Sequence, residues 1–203
     1  MVVIIDYGMG NLASVQKALN FLKIENIITN EHDTIKKANS IILPGVGSFS
    51  QGMQNLRELG LVDLLTNMVV NRKIPFLGIC LGMQLIMERG NESKPCLGLG
   101  WIKGDVLKFE LPELNVPHMG WNNIKIKKEP YFNNCRLKDF YFIHSYHVVP
   151  EKNEDIAATV HYGFEVVAAI QRENIFATQF HPEKSQEAGL SILKTFFELN
   201  AQN

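Results

Sequence analysis

Residues 74–85 read Ile74-Pro75-Phe76-Leu77-Gly78-Ile79-Cys80-Leu81-Gly82-Met83-Gln84-Leu85. The first six form a short apolar run, as expected of a strand buried on both faces. Over residues 81–88 apolar side chains return at helical spacing. Gly78-x-Cys80-x-Gly82 is the joint between the two. A chain that passes from strand to helix so abruptly has no room for side chains beside the apex, so each flanking glycine meets a geometric need. Cys80 then projects from the carboxyl edge of a sheet at a helix N-terminus, where the dipole and free N–H groups favour a thiolate. The Leu81 N–H, directly after it, is placed to donate to an oxyanion. A structural cysteine in a glycine-rich turn reads the same way, so the joint alone fixes the topology and not the chemistry.

Upstream of that joint the same alternation holds. Residues 2–6 are an apolar run, and after the loop Tyr7-Gly8-Met9-Gly10 the side chains Leu12, Val15, Leu19 and Leu22 fall at helical spacing. Residues 25–29 and 40–43 read as further strands, and residues 51–59 and 61–72 as helices. Strands alternating with helices imply a mostly parallel sheet covered on both faces. Residues 101–179 are strand-rich instead, with turn residues Asn133-Asn134 and His161-Tyr162-Gly163. They predict antiparallel or mixed strands that complete the sheet or build a small second one. Residues 185–199 predict a closing helix. With no repeat, low-complexity tract or linker, residues 1–203 are expected to form a single domain.

Composition narrows the function. Of 203 residues, 46% are hydrophobic and 20% charged, with a formal net charge of −1. That is the balance of a chain with a real core and no electrostatic footprint for nucleic acid or membrane. Cys80, Cys96 and Cys135 cannot all pair with one another and form no C-x-x-C motif, so a reduced compartment fits. The start, MVVIIDYG, has no basic region or long apolar stretch of a signal peptide, and no window nears the roughly 20 apolar residues of a membrane span. The expected location is the cytoplasm.

A second motif gives Cys80 a chemical context. His181-Pro182-Glu183 follows the strand predicted over residues 175–180. In extended backbone, positions i and i+2 face the same side, so imidazole and carboxylate would share a cleft, with Pro182 holding the extension. A base with a carboxylate that orients it is what a thiol nucleophile needs. Pro44-Gly45-Val46-Gly47-Ser48 also follows an apolar strand. Its glycines let backbone N–H groups approach a ligand and would complete an oxyanion hole with Leu81. As a lone motif, a plain turn or a phosphate loop reads alike. Gln84 lies four residues after Cys80 on the helix predicted there, hence on the same face.

Gly8-Met9-Gly10-Asn11-Leu12-Ala13 matches the dinucleotide fingerprint, with Glu31 at the spacing of a ribose contact. Asp6-Tyr7 loosens the tight turn that fingerprint requires, and a nucleotide site leaves the cysteine joint and the His-x-Glu pair unexplained. His144 and His147, three apart in a predicted strand, should face opposite sides and make no metal site. Trp101 and Trp121 read equally as core or interface.

Taken together, GICLGMQL around Cys80, the late FHPE and the early LPGVGSF resemble the class I (triad) glutamine amidotransferases. Tyr7-Gly8-Met9-Gly10-Asn11, Pro117-His118-Met119-Gly120-Trp121-Asn122, His144-Ser145-Tyr146 and Ala177-Thr178-Gln179-Phe180-His181-Pro182-Glu183-Lys184-Ser185 are similar to the glutaminase subunits of imidazole glycerol phosphate synthases. The resemblance implies a flavodoxin-like fold with added antiparallel strands. It implies hydrolysis of L-glutamine through a thioester, with Cys80 as nucleophile, His181 as base and Glu183 as orienter. It implies an oxyanion hole from Gly45, Val46 and Leu81, and glutamine contacts from Gly47, Gln84, Glu92, Ser145 and Tyr146. Asn11, Trp121 and Lys184 would face the partner, a (β/α)8-barrel cyclase that takes up the ammonia in histidine biosynthesis. No cofactor is implied. His147 departs from the pattern, since an aromatic or apolar residue is expected there. A paralogous subunit feeding another acceptor, such as a surface-polysaccharide sugar, or a stand-alone cysteine amidase, would carry the same catalytic motifs.

Overall fold

The computed structural model describes residues 1–92 and 95–201. In chain order the first half contains β1 (Val2–Ile5), α1 (Leu12–Phe21), β2 (Asn26–Thr29), α2 (His32–Ile35), β3 (Ser40–Gly45), α3 (Phe49–Glu58), α4 (Leu61–Thr66), β4 (Phe76–Cys80) and α5 (Leu81–Leu85). The second half contains β5 (Met87–Gly90), β6 (Cys96–Leu97), β7 (Ile102–Lys108), β8 (His118–Ile126), β9 (Asp139–His144), β10 (Tyr146–Pro150), β11 (Ile156–Tyr162), β12 (Phe164–Arg172), β13 (Ile175–Thr178) and α6 (Gln186–Asn200). Among the described residues these strands form a nine-stranded sheet, ordered β2-β1-β3-β4-β13-β12-β11-β8-β9, and a four-stranded sheet, β10-β7-β5-β6.

The pairs from β2 through β13 are parallel, and those from β13 outward to β9 are antiparallel. The expected α/β architecture with added antiparallel strands is therefore present. Alternation along β1 explains the layering: Val2 and Ile4 enter one core with Val15 and Leu19 of α1 and Phe196 of α6, whereas Val3 and Ile5 enter another with Leu56 of α3 and Leu61 of α4. Each such side chain, fully withdrawn from water, contributes roughly 1.5–3 kcal/mol. Among the described residues no helix is long and apolar enough to cross a membrane.

Three sequence expectations shift. The helix expected over residues 51–59 begins at Phe49, because the Ser48 side chain accepts from the Gln51 N–H and caps it. The helix expected over residues 61–72 is α-helical only to Thr66 and finishes as a π-turn, Asn67–Asn71. The helix expected over residues 81–88 stops at Leu85. Beyond it the backbone is captured by the second sheet: Leu99 N–H donates to Leu85 O at 2.8 Å and Ile102 N–H to Ile86 O at 3.0 Å. The apolar run Leu85-Ile86-Met87 suits a buried strand as well as a helix, and tertiary pairing decides it.

Candidate active site

Cys80 is the last residue of β4 and sits at the joint into α5 with φ 54° and ψ −105°. A side chain on a positive-φ residue is strained, and such strain persists only where the surroundings hold it. Those surroundings are tight. A Cβ at Gly82 would lie 1.8 Å from Leu43 O, and one at Gly78 would lie 3.0 Å from Gly82 O. Gly78 thus meets the joint itself and Gly82 meets β3, so neither flank of Cys80 has room for a side chain, the steric demand expected from sequence.

The parallel register brings the other motifs to the same edge. Gly45 of β3 pairs directly with Cys80, and Thr178 of β13 pairs with Ile79. The chain leaving β3 and the chain leaving β13 therefore flank the cysteine at the carboxyl ends of adjacent strands, where open α/β sheets bind ligands. His181 and Glu183 do meet: ring Nδ1 lies 2.8 Å from Glu183 Oε1, with both side chains almost fully buried. The route differs from the one expected. β13 ends at Thr178, and Pro182–Lys184 is a 3₁₀ turn with Pro182 at its start. A proline's fixed φ suits that first turn position, so Pro182 begins a turn rather than prolonging a strand. Ser185 ties the turn down, its hydroxyl donating to His181 O at 2.6 Å and accepting from the Tyr141 N–H at 3.0 Å.

The other ring nitrogen, His181 Nε2, is buried with no hydrogen-bond partner of good geometry among the described residues. Burial opposes a charged ring here. The Cys80 sulfur, by its charge and its nearness as an acceptor, and then the Glu183 carboxylate outweigh burial and push His181 up to about 10. That balance favours the protonated ring. Around the sulfur, Gln179 Nε2 donates at 3.6 Å and Ile143 O accepts from the thiol at 3.8 Å.

A cleft of about 290 Å³ opens beside Cys80, lined by Val46, Gly47, Leu81, Gln84, Glu92, Pro117, Ile143, His144, Ser145 and Tyr146. The expected oxyanion loop and all five expected glutamine contacts are therefore at or in it, with Gly45 immediately behind. Gly47 has φ 117°, a conformation suited to glycine, so the backbone turns sharply at the cleft mouth. Glu92 lies beyond any helix, yet its carboxylate accepts from the Phe49 N–H at 2.8 Å, at the start of α3. That contact, unreadable from spacing, brings a loop acid into the cleft. A larger hollow of about 740 Å³ lies at the opposite edge of the sheet, lined by Lys36, Arg72, Lys73, Asn174 and others, remote from Cys80.

The remaining candidates divide by place. Trp121 is half exposed and stands edge-on to Tyr141, with ring centroids 6.2 Å apart; Lys184 Nζ lies 5.8 Å above the same Tyr141 ring. Tyr141 was not singled out by sequence, although it lies on β9 two residues before Ile143. Asn11 caps α1, its side chain accepting from the Ser14 N–H at 3.3 Å. The fingerprint loop before it is not open to a pyrophosphate. A Cβ at Gly10 would lie 3.0 Å from Gly45 Cα, and one at Gly47 would lie 2.7 Å from Met9 Cε, so this loop packs on the Pro44–Gly47 segment. Glu31 instead flanks the start of α2.

His144 and His147 correct another expectation. Ser145 separates β9 from β10, so the two histidines lie in different strands. Both rings approach Phe109, at centroid distances of 5.2 Å and 5.0 Å, and His147 stacks on it. A flat ring is what that position requires, which accounts for histidine where an aromatic or apolar residue was expected. Among the described residues no three histidine, cysteine or acidic side chains are grouped as metal ligands would be.

Residues 3–199 match the family model of the class-I glutamine amidotransferases. Imidazole glycerol phosphate synthase subunit HisH 1 of Campylobacter jejuni is 48% identical over 202 residues, covering 98% of this chain and 100% of that protein. Subunit HisH of Methanocaldococcus jannaschii is 47% identical over 201 residues, again covering 98% and 100%. The solved structure of PurLQS from Thermotoga maritima superposes with a TM-score of 0.77 at 18% identity, over 98% of this chain and 97% of that one, a likeness of fold alone.

Proposed function

The chain belongs to the class-I glutamine amidotransferase family, and from that premise we propose that it is the glutaminase subunit of an imidazole glycerol phosphate synthase, with Cys80, His181 and Glu183 as its catalytic triad. The observation that carries this reading is the buried His181–Glu183 pair at 2.8 Å, whose free Nε2 shares the carboxyl edge of the sheet with the Cys80 sulfur.

The chemistry follows from that pairing. Cys80 attacks the side-chain carbonyl of L-glutamine, and backbone N–H groups of Leu81 and the Gly45-Val46 segment hold the oxyanion. His181 delivers a proton to the departing ammonia and leaves a γ-glutamyl thioester. Water, deprotonated by His181, then releases glutamate. Glu183 keeps the ring oriented and stabilises its charged form. Gly47, Gln84, Glu92, Ser145 and Tyr146 line the part of the cleft that takes the α-amino-acid end, where the Glu92 carboxylate suits an ammonium group. No cofactor takes part in these steps.

Ammonia released to water near neutral pH becomes ammonium and is no longer a nucleophile. A partner that receives it through a dry passage keeps it reactive, which is the physical reason to expect a (β/α)8-barrel cyclase on the face carrying Asn11, Trp121 and Lys184. Three unpaired cysteines support a reduced, cytoplasmic setting. The test is reconstitution with a cyclase subunit, following glutamate release and ring formation together. The isolated chain should hydrolyse glutamine slowly, the complex with its cyclase ligand orders of magnitude faster. Cys80→Ala should cost about 10⁴-fold or more in kcat. Fast turnover by the isolated chain, or glutamate release that never yields the imidazole product, would overturn the pairing with that cyclase.

A further inference from the structure

Gln179 is wholly buried, with its side chain lodged between Gln84 and the nucleophile. A primary amide withdrawn from water needs hydrogen bonds on both its ends, and the surrounding groups decide which end points where. Tyr146 O is a backbone carbonyl and can only accept. Gln84 must therefore turn its nitrogen toward it, at 3.2 Å. The same Gln84 nitrogen reaches the Gln179 amide at 3.1 Å, so the atom of Gln179 that meets it is the oxygen. The Gln179 nitrogen is left facing Cys80 Sγ at 3.6 Å. One unambiguous acceptor thus propagates, through two amides, a donor aimed at the sulfur.

The sulfur has two sets of partners. As a thiol it donates to Ile143 O. As a thiolate it gains nothing from that carbonyl and keeps the Gln179 N–H, with the His181 ring as a neighbouring charge rather than a bonded partner. Hydrogen bonds to a charged form favour that form. We propose that Gln179 is a further catalytic residue, whose side-chain amide stabilises the Cys80 thiolate and aims it into the cleft, with Gln84 and the Tyr146 carbonyl as the positioning groups that orient the amide.

The proposal rests on Cys80 as nucleophile, so its test keeps the two claims apart. In the complex with the cyclase, Cys80→Ala reports on the nucleophile, and Gln179→Met and Gln179→Glu report on the amide. Met keeps the length and removes both polar ends. Glu still accepts from Gln84 but sets a negative charge against the sulfur. Loss of one hydrogen bond to a charged group predicts that Gln179→Met lowers kcat by about 10- to 100-fold. KM for glutamine should rise by less than kcat falls, because the amide touches the sulfur directly and reaches the substrate's α-end only through Gln84. Alkylation of Cys80 by iodoacetamide, followed by mass spectrometry to separate it from Cys96 and Cys135, should slow in parallel, with its pH profile displaced to the alkaline side and further for Glu than for Met. If Met fails to fold, Glu carries the same readout, since it keeps the bond to Gln84. Unchanged alkylation profiles in the folded variants overturn the role of Gln179 while Cys80→Ala stays inactive; an active Cys80→Ala overturns the glutaminase site itself.

Discussion

His118 and His144 form a chain of hydrogen bonds that closes only when both rings are neutral. Asn122 donates to the His161 carbonyl at 3.1 Å and accepts from the Asn123 N–H at 2.8 Å, which fixes its amide. Its nitrogen therefore donates to His118 Nε2 at 3.2 Å, His118 Nδ1 to His144 Nε2 at 3.0 Å, and His144 Nδ1 to Tyr146 O at 2.8 Å. Protonating either ring sets two donors face to face. Burial lowers His118 to about 4 and His144 to about 3, the latter also opposed by the charges of His118, His147 and His181. An unfolded histidine takes up its proton near pH 6.5. The stability that depends on these rings is then complete above about pH 6.5 and is lost progressively as pH falls from there through 4 toward 3, because only the unfolded chain binds protons in that interval. Thermal melts from pH 7 down to pH 4.5 should show a falling Tm, and His118→Asn should flatten that slope even where it lowers the Tm at pH 7. Cys80 makes a second residue-scale case. At φ 54° it is better suited to glycine, so Cys80→Gly should abolish glutaminase activity yet raise stability by about 1 kcal/mol, read as a higher Tm.

The elements show where sequence carried the reading and where it did not. Gly78-x-Cys80-x-Gly82 and the Pro44–Gly47 loop were legible because each glycine answers a local steric demand. His181-Pro182-Glu183 gave the right pair for the wrong local reason, since spacing alone does not separate an extended segment from a 3₁₀ turn. The second sheet, β10-β7-β5-β6, was legible only in part: β7 and β10 lie in the strand-rich stretch, whereas β5 begins inside the segment expected to be helical and β6 follows it unread. The same holds for Gln179, which lay in a recognisable motif but had no role until β13 brought it beneath Cys80. Ser185 belongs to this scale as well. Its hydroxyl joins the 182–184 turn to β9, and Ser185→Ala would leave the Tyr141 N–H without its acceptor. The expected cost is about 1–3 kcal/mol in stability, together with a lower kcat as the His181 ring loosens. Ser185→Thr should restore much of both, and melts alongside steady-state kinetics of the complex would show whether it does.

At the scale of the molecule, the nine-stranded sheet places the cleft and the Trp121–Tyr141–Lys184 surface side by side. An exposed tryptophan packed against a tyrosine is the aromatic pairing common at binding anchors. Trp121→Ala should weaken association with the cyclase by about 1 kcal/mol or more, measured by titration calorimetry, and leave the chain's own Tm nearly unchanged, since half of that ring is already in water. Loss of chain stability without loss of affinity would instead mark Trp121 as part of the fold.

The antiparallel extension of the sheet also shortens a distance that the chain itself leaves long. His181 N–H donates to Tyr141 O at 2.9 Å, so the proposed base is bonded through its own backbone to a residue whose ring packs beside Trp121 and Lys184. A partner seated against that ring would touch a residue bonded directly to the His181 peptide. A single N–H···O contact is all that separates that outer surface from the segment carrying the imidazole.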